Sequence, residues 1–274
     1  MIRHALPLAA GVAICAAGVP HAPARAASDL YQAAAIVTGE AEAERARGFA
    51  RCLEDVLVKV SGDPRLLGDA RVTTLAARAA DFVTEFRYQD RMRTVPQTHE
   101  QGTRDRPFDL FVTFDEARID AALLSVGSAP WTSPRPHLAV LLGIADATTR
   151  YVLAVDGERG EGQRQSLAAA AAKRGLPIVL PRSHDLAADG VTYDVLVKSE
   201  RAPIESAAKD AGGEVALVGT LVWNEAMPGW TADWHLSQQG KDVHWRASDT
   251  SFDDAFRHAV EGAEQILSNN GTPR

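Results

Sequence analysis

Apolar positions recur along this chain with two periods, and the switches between them mark the predicted elements. Leu30 to Thr38 is a β-like run closed by Gly39. From Glu40 to Val60, Ala46, Phe49, Leu53, Val56, Leu57 and Val60 fall on one stripe of a helix. Ser61-Gly62-Asp63-Pro64 stops that helix, and a shorter one is predicted from Val72 to Ala80. The period then shortens to two. Phe82, Thr84, Phe86 and Tyr88 alternate with Val83, Glu85, Arg87 and Gln89, and Phe108, Leu110, Val112 and Phe114 repeat the pattern, so two half-buried strands are expected. Between them Pro96 to Pro107 is too polar to pack and is predicted to be a mobile hairpin loop. Asp115 can cap a helix running to Val126, with Ile119, Leu123 and Leu124 facing inward.

Gly127 to Pro136 carries Pro130, Pro134 and Pro136 and reads as a stiff, extended connector. Trp131 within it either packs in a cleft between domains or covers a core edge. Beyond it, His137 to Ile144 is a short apolar run, Tyr151 to Val155 a strand and Gly157 to Gly162 an exposed turn. Ser166 to Arg174 is predicted helical, Leu176 to Leu180 a buried strand, Ile204 to Ala211 a helix and Val215 to Trp223 a central strand. Trp230 to Gln238 and Lys241 to Ser248 flank Gln239-Gly240, and a two-residue turn there sets a definite register. Ala232, Trp234 and Leu236 then face Ala247, Trp245 and Val243 on one side. Asp233, His235 and Ser237 face Arg246, His244 and Asp242 on the other. A slip of one residue would destroy this division. Ser251 can cap a last helix that buries Phe252, Ala255, Phe256, Ala259, Ala263, Ile266 and Leu267, and Gly271 and Pro273 end it in a frayed tail.

The first residues change the picture, because they speak to address. Arg3 and His4 precede an apolar run from Ala5 to Val19, and Ala24-Arg25-Ala26 offers small residues for cleavage, so residues 1–26 read as a signal peptide. Fifteen residues are too few to span a bilayer, and no later apolar run is long enough, so no membrane insertion is expected after cleavage. Loss of Arg3 and Arg25 from 29 basic residues leaves 27 against 36 acidic ones, a formal charge of −9. That disfavours nucleic acid and anionic lipid as partners. Cys15 leaves with the leader, preceded by the bulky Ile14 that disfavours lipidation, and Cys52 remains alone on the first helix's apolar stripe. A buried core thiol is expected there, with no internal disulfide.

No motif in the chain carries a chemistry by itself. His235 and His244 could hold a metal between strands with Asp233 or Asp242, but two histidines are half a tetrahedral site, and a solvated strand face accounts for them. Ser206 and Lys209 form an S-x-x-K tetrapeptide, yet Ile204, Ala207, Ala208 and Ala211 define the opposite, buried stripe, which leaves that lysine exposed and protonated. Gly157, Gly160 and Gly162 run opposite to the dinucleotide fingerprint, and the preceding Asp156 would repel phosphate. The pairs Glu54-Asp55 and Asp253-Asp254 read as solvated-face and helix-end charges. No catalytic, cofactor-binding or metal-ligating residue is assigned.

The order of landmarks carries a resemblance. Val58-Lys59-Val60-Ser61-Gly62-Asp63, the run Phe82 to Tyr88, Phe114-Asp115, Pro130-Trp131, Arg135-Pro136, Gly175-Leu176-Pro177 and Ala216 to Leu221 together resemble the proteobacterial family catalogued as domain of unknown function 2066. The similarity runs from Leu30 to Arg246 and implies export without bringing a catalytic residue. The second half is also distantly similar to the small α/β domain at the amino end of the periplasmic protein TolB, which implies binding to other envelope proteins. The expectation is therefore an α+β chain of two small α/β domains, with mixed sheets carrying helices on one face. The divisions are a signal peptide at 1–26, domains at 27–126 and 137–268, a linker at 127–136 and a disordered tail at 269–274. The expected function is that of a periplasmic, non-enzymatic adaptor or assembly factor. The alternative is a small-ligand or metal-binding module, or a hydrolase without a visible motif.

Overall fold

The computed structural model describes residues 29–93 and 106–273. The predicted leader and residues 96–105 of the predicted loop lie outside the described residues. The chain is α+β.

The first half opens with a 3-10 turn, Asp29–Tyr31, and strand β1, Gln32–Thr38. Helix α1, Glu42–Ser61, follows, and Cys52, Leu53, Val56 and Leu57 on its inner stripe are fully buried. A second 3-10 turn, Pro64–Leu66, precedes a short helix α2, Ala70–Ala76, which leads through a third, Ala79–Phe82, into β2, Val83–Asp90, and β3, Pro107–Phe114. Helix α3, Glu116–Ser125, closes the half, and the Arg118 backbone N–H donates to the Asp115 carboxylate as the cap requires. The three strands lie in the order β1-β3-β2 and every pairing is antiparallel, so this sheet is not mixed as expected. A bulge corrects the expected face of β2. Val83 pairs with Phe114 and Glu85 with Thr113, which leaves Thr84 as the extra residue. Phe82 therefore ends the preceding turn, and Phe86 and Tyr88 alone keep the alternation. Leu124, expected inside, is 65% exposed, because the stripe of so short a helix is complete with Ile119, Ala122 and Leu123.

The second half holds β4 (Leu138–Ala145), β5 (Arg150–Val152), α4 (Glu161–Arg174) and β6 (Ile178–Val179). Then come α5 (Ser183–Ala188), α6 (Tyr193–Val197), α7 (Arg201–Asp210) and β7 (Val215–Asn224). Strands β8 (Gly229–Gln238) and β9 (Lys241–Thr250) and helix α8 (Phe252–Leu267) complete it. The sheet runs β5-β4-β7-β8-β9, and β6 also pairs with β4. Strand β4 is parallel to β6 and β7, and the remaining pairs are antiparallel. Helices cover both faces of this sheet rather than one. Leu138, Val140, Leu142 and Ile144 of β4 pack with α4 and α8, while Ala139 and Leu141 pack with α5, α6 and α7. Helices α5 and α6 are not predicted by the hydrophobic periodicity.

The β8–β9 hairpin has the predicted register from Ala232↔Ala247 to Gln238↔Lys241. Gln239 (φ 51°) and Gly240 (φ 77°) are both left-handed, as a primed turn demands. Its two tryptophans sit in glycine slots. A Cβ on Gly219 of β7 would lie 2.2 Å from the Trp234 ring, and one on Gly262 of α8 would lie 2.6 Å from Trp245. Among the described residues no helix is long and apolar enough to cross a membrane.

Candidate functional site

The titratable groups that converge are at the seam between the halves, where helix α1 ends. The last carbonyls of a helix lack intrahelical donors, and here donors from the connector and from the end of α8 supply them. The Trp131 backbone N–H donates to Val60 O at 2.8 Å. Asn270 Nδ2 donates to Ser61 O at 2.9 Å and Ser268 Oγ to Gly62 O at 2.9 Å. Arg135 Nη2 donates to Lys59 O, and its Nη1 to Arg174 O at 2.8 Å. Its guanidinium also stacks on Trp131, 4.4 Å from the ring centroid, so cations meet the negative end of the helix dipole. Trp131 fills both of its expected roles, since it lies at the seam and packs against the second-half core. Just after α8, Ser268 and Asn270 are held by these bonds.

Beneath this cap lies a buried ionic cluster. Glu264 of α8 is wholly buried and sits 3.6 Å from Arg135 Nη1 and 3.9 Å from Arg174 Nε. At those separations the contacts are ion pairs and not hydrogen bonds. Among the described residues neither carboxylate oxygen has a hydrogen-bond partner, nor do Arg135 Nε and Arg174 Nη1. Burial pushes the Glu264 carboxyl up to about 8, against the pull of Arg174 and Arg135. Arg174 also reaches Glu261 and, at 3.6 Å, Asp55 of α1, whose other oxygen lies 3.1 Å from Lys173. Asp55 is thus a cross-seam ion-pair partner rather than a solvated-face charge. Lys59 is buried too; its ammonium donates to Asp29 O and Gln32 O, and burial lowers its pKa to about 8.

These seam residues carry a signal in the sequence that is a pattern rather than a motif. Glu264 follows Val260 by four residues and precedes Leu267 by three, and Lys59 follows Cys52 by seven. Both charges stand inside an apolar stripe, where a charge has to find a partner.

The residues weighed from sequence stay apart from the seam. His235 and His244 stack with ring centroids 4.3 Å apart and planes 7° from parallel. Imidazole lone pairs lie in the ring plane, so stacked rings aim them side by side rather than at one ion. Asp242 Oδ1 is 3.5 Å from His235 Nε2, and burial together with His244 lowers the His235 pKa. Among the described residues no group of three or more His, Cys, Asp or Glu side chains could hold a metal. Ser206 Oγ donates to Asp189 at 2.7 Å, and Lys209 is exposed. Cys52 lies in the first-half core, where burial pushes its thiol up to about 12, far from a thiolate nucleophile. Asp156 accepts from the Ser183 N–H and hydroxyl, and Asp253 accepts from Ser166 Oγ.

Two open clefts flank the seam. One, of about 510 Å³, runs along the connector from Ala129 to Pro136 and is bounded by Gln238, Gln239 and residues 267–270. The other, of about 570 Å³, lies between Pro64-Arg65 and α8 and includes His258 and Glu261.

No curated protein and no solved structure matches the chain. Residues 24–132 match the family described as a domain of unknown function, DUF8605, so the first half and the start of the connector are similar to an uncharacterised domain.

Proposed function

We propose that the chain is an exported envelope protein that acts as a non-enzymatic adaptor or assembly factor, binding another envelope protein. The observation that carries this reading is the outer face of the three-stranded sheet. Its inner face packs on α1, whereas Ala34, Ile36, Arg87 and Phe111 form an outer face on which Ile36 is 51% exposed. The Arg87 guanidinium lies 3.9 Å from the Phe111 ring centroid, an amphipathic platform of the kind that protein partners cover. Two features of the sequence support the envelope setting: the leader-like residues 1–26, and the landmark order shared with domain of unknown function 2066. The second half runs β4, β5, α4, β6, α5, α6, α7, the β7-β8-β9 meander and α8, and the strand-helix-strand-helix, meander and closing helix within that order support a TolB amino-terminal-like domain.

Crosslinking in intact host cells, followed by mass spectrometry, tests the reading. The expected result is one envelope protein captured in near-equal amount, lost in an Ile36→Asp variant, with a mature amino terminus at residue 27. A cytoplasmic, unprocessed chain would overturn the address, and capture unchanged by Ile36→Asp would overturn the assignment of this face.

A further inference from the structure

The cleft along the connector differs in chemistry from the rest of the surface. Fifteen residues line it, and none of them is charged. With 24% of the chain charged, composition alone would place about three or four charged side chains in a set of fifteen. The second cleft, across the same seam, follows composition and carries Arg65, His258 and Glu261. The neutral cleft is not apolar either. Four carboxamides, Gln238, Gln239, Asn269 and Asn270, border it together with the Thr132 hydroxyl and the half-buried Trp131. A carboxamide offers donors and an acceptor side by side and carries no charge to desolvate.

We propose that this cleft binds a neutral oligosaccharide. Adjacent sugar hydroxyls and acetamido groups each donate and accept, which matches a carboxamide border better than a charged or aliphatic one. Trp131 lines the cleft and offers the exposed part of its indole to the C–H groups of a sugar. The Arg135 guanidinium, stacked on the indole at 4.4 Å, and the backbone bond from Trp131 N–H to Val60 O hold that ring in place before any ligand arrives. Asn270 spends both amide hydrogens on Ser61 O and Ser268 Oγ, which fixes it and leaves its side-chain oxygen as an acceptor, while the other three carboxamides supply donors as well. A volume of about 510 Å³ suits a ligand of a few rings. The border comes from the connector, the hairpin turn and the end of α8, with Ser61 as its one residue from the first half.

The backbone supplies a clean test. Gln239 (φ 51°) and Asn269 (φ 61°) are left-handed and exposed, so glycine at either position removes the carboxamide without opposing the local conformation. Isothermal titration of the whole purified chain with chitotetraose and with cellotetraose is expected to show saturable binding of at least one, insensitive to salt. The double variant Gln239→Gly/Asn269→Gly is expected to keep its thermal midpoint and to bind at least about tenfold more weakly, the scale of two lost ligand hydrogen bonds. Binding of chitotetraose alone would point to an N-acetylated glycan, and binding of both to the hydroxyl pattern. The proposal is overturned if neither tetrasaccharide binds at millimolar concentration, if the double variant binds as well as the parent, or if a proline-rich peptide binds the cleft and the sugars do not.

Discussion

All eight residues of β4 are buried beneath helices on both sides, whereas at the edge of the three-stranded sheet β1 buries only Val37 among seven. The composition of the strands follows from this. A doubly covered strand is apolar throughout, as Leu138 to Ala145 is, and a singly covered one alternates. The two halves consequently draw stability from different sources. The second half closes on itself, with Trp234 and Trp245 locked against Gly219 and Gly262 from two neighbouring elements. The first half relies on one long helix whose final carbonyls are satisfied by Trp131, Arg135, Ser268 and Asn270, all supplied from outside its own core. One half is self-sufficient in apolar burial and the other borrows its helix cap, so their stabilities are coupled in one direction more than the other.

The largest expected effect tests that asymmetry. Trp234→Ala removes a 1%-exposed indole and should cost about 3–5 kcal/mol of stability, the range for emptying a core site of an aromatic ring. Because unfolding of the second half strips the donors from α1, denaturation followed by far-UV circular dichroism and by tryptophan fluorescence should give coincident transitions. Two separated transitions would show that the halves unfold independently and that the seam does not couple them.

Acidity probes the same seam from its charge. A carboxyl whose pKa is raised by folding holds its proton longer in the folded chain, so the folded chain binds more protons than the unfolded one between the two values. For Glu264 that window runs from 4.5 to about 8, and stability should fall as pH rises through it. Glu264→Gln should flatten this slope in urea midpoints measured across the window. Lys59 acts in the opposite sense at higher pH. Its pKa is lowered from 10.5 to about 8, so its contribution makes stability rise with pH between those values. An unchanged slope in the Gln variant would mean that Glu264 is ionised throughout, held so by its two arginines.

How legible was this in the sequence? The hairpin was, to the residue pair, because a period of two on both strands and a turn ending in Gly240 leave one register that separates tryptophans from charges. The caps Asp115 and Ser251 were legible for the same reason: each is a short polar side chain immediately before an apolar stripe. The bulge at Thr84 was not, since periodicity presumes an unbroken pairing and an extra residue resets it. Helices α5 and α6 have six and five residues, fewer than two turns, too short to display a stripe. The seam was hidden differently. Its donors Arg135 and Asn270 stand 76 and 209 residues from the α1 carbonyls they serve, so their partners become visible only once the chain is folded. A middle-sized effect follows from what was legible: Ser251→Ala should cost about 1 kcal/mol by freeing the Asp254 N–H, measurable as a shift in the urea midpoint.

The smallest expected effect on stability is the one that bears most on function. Ile36 lies opposite Asp109 on the uncovered face of the three-stranded sheet, 51% exposed, so Ile36→Thr empties no cavity and keeps a β-branched residue in the strand. The change should alter the unfolding free energy by less than about 0.5 kcal/mol. If the open face exists to be covered by a partner, the same substitution should reduce capture of that partner in cells while the thermal midpoint stays put. A fall in stability comparable to that of Trp234→Ala would mean that this face is packed within the chain itself. The contrast between a closed second half and an open first half would then have to be abandoned.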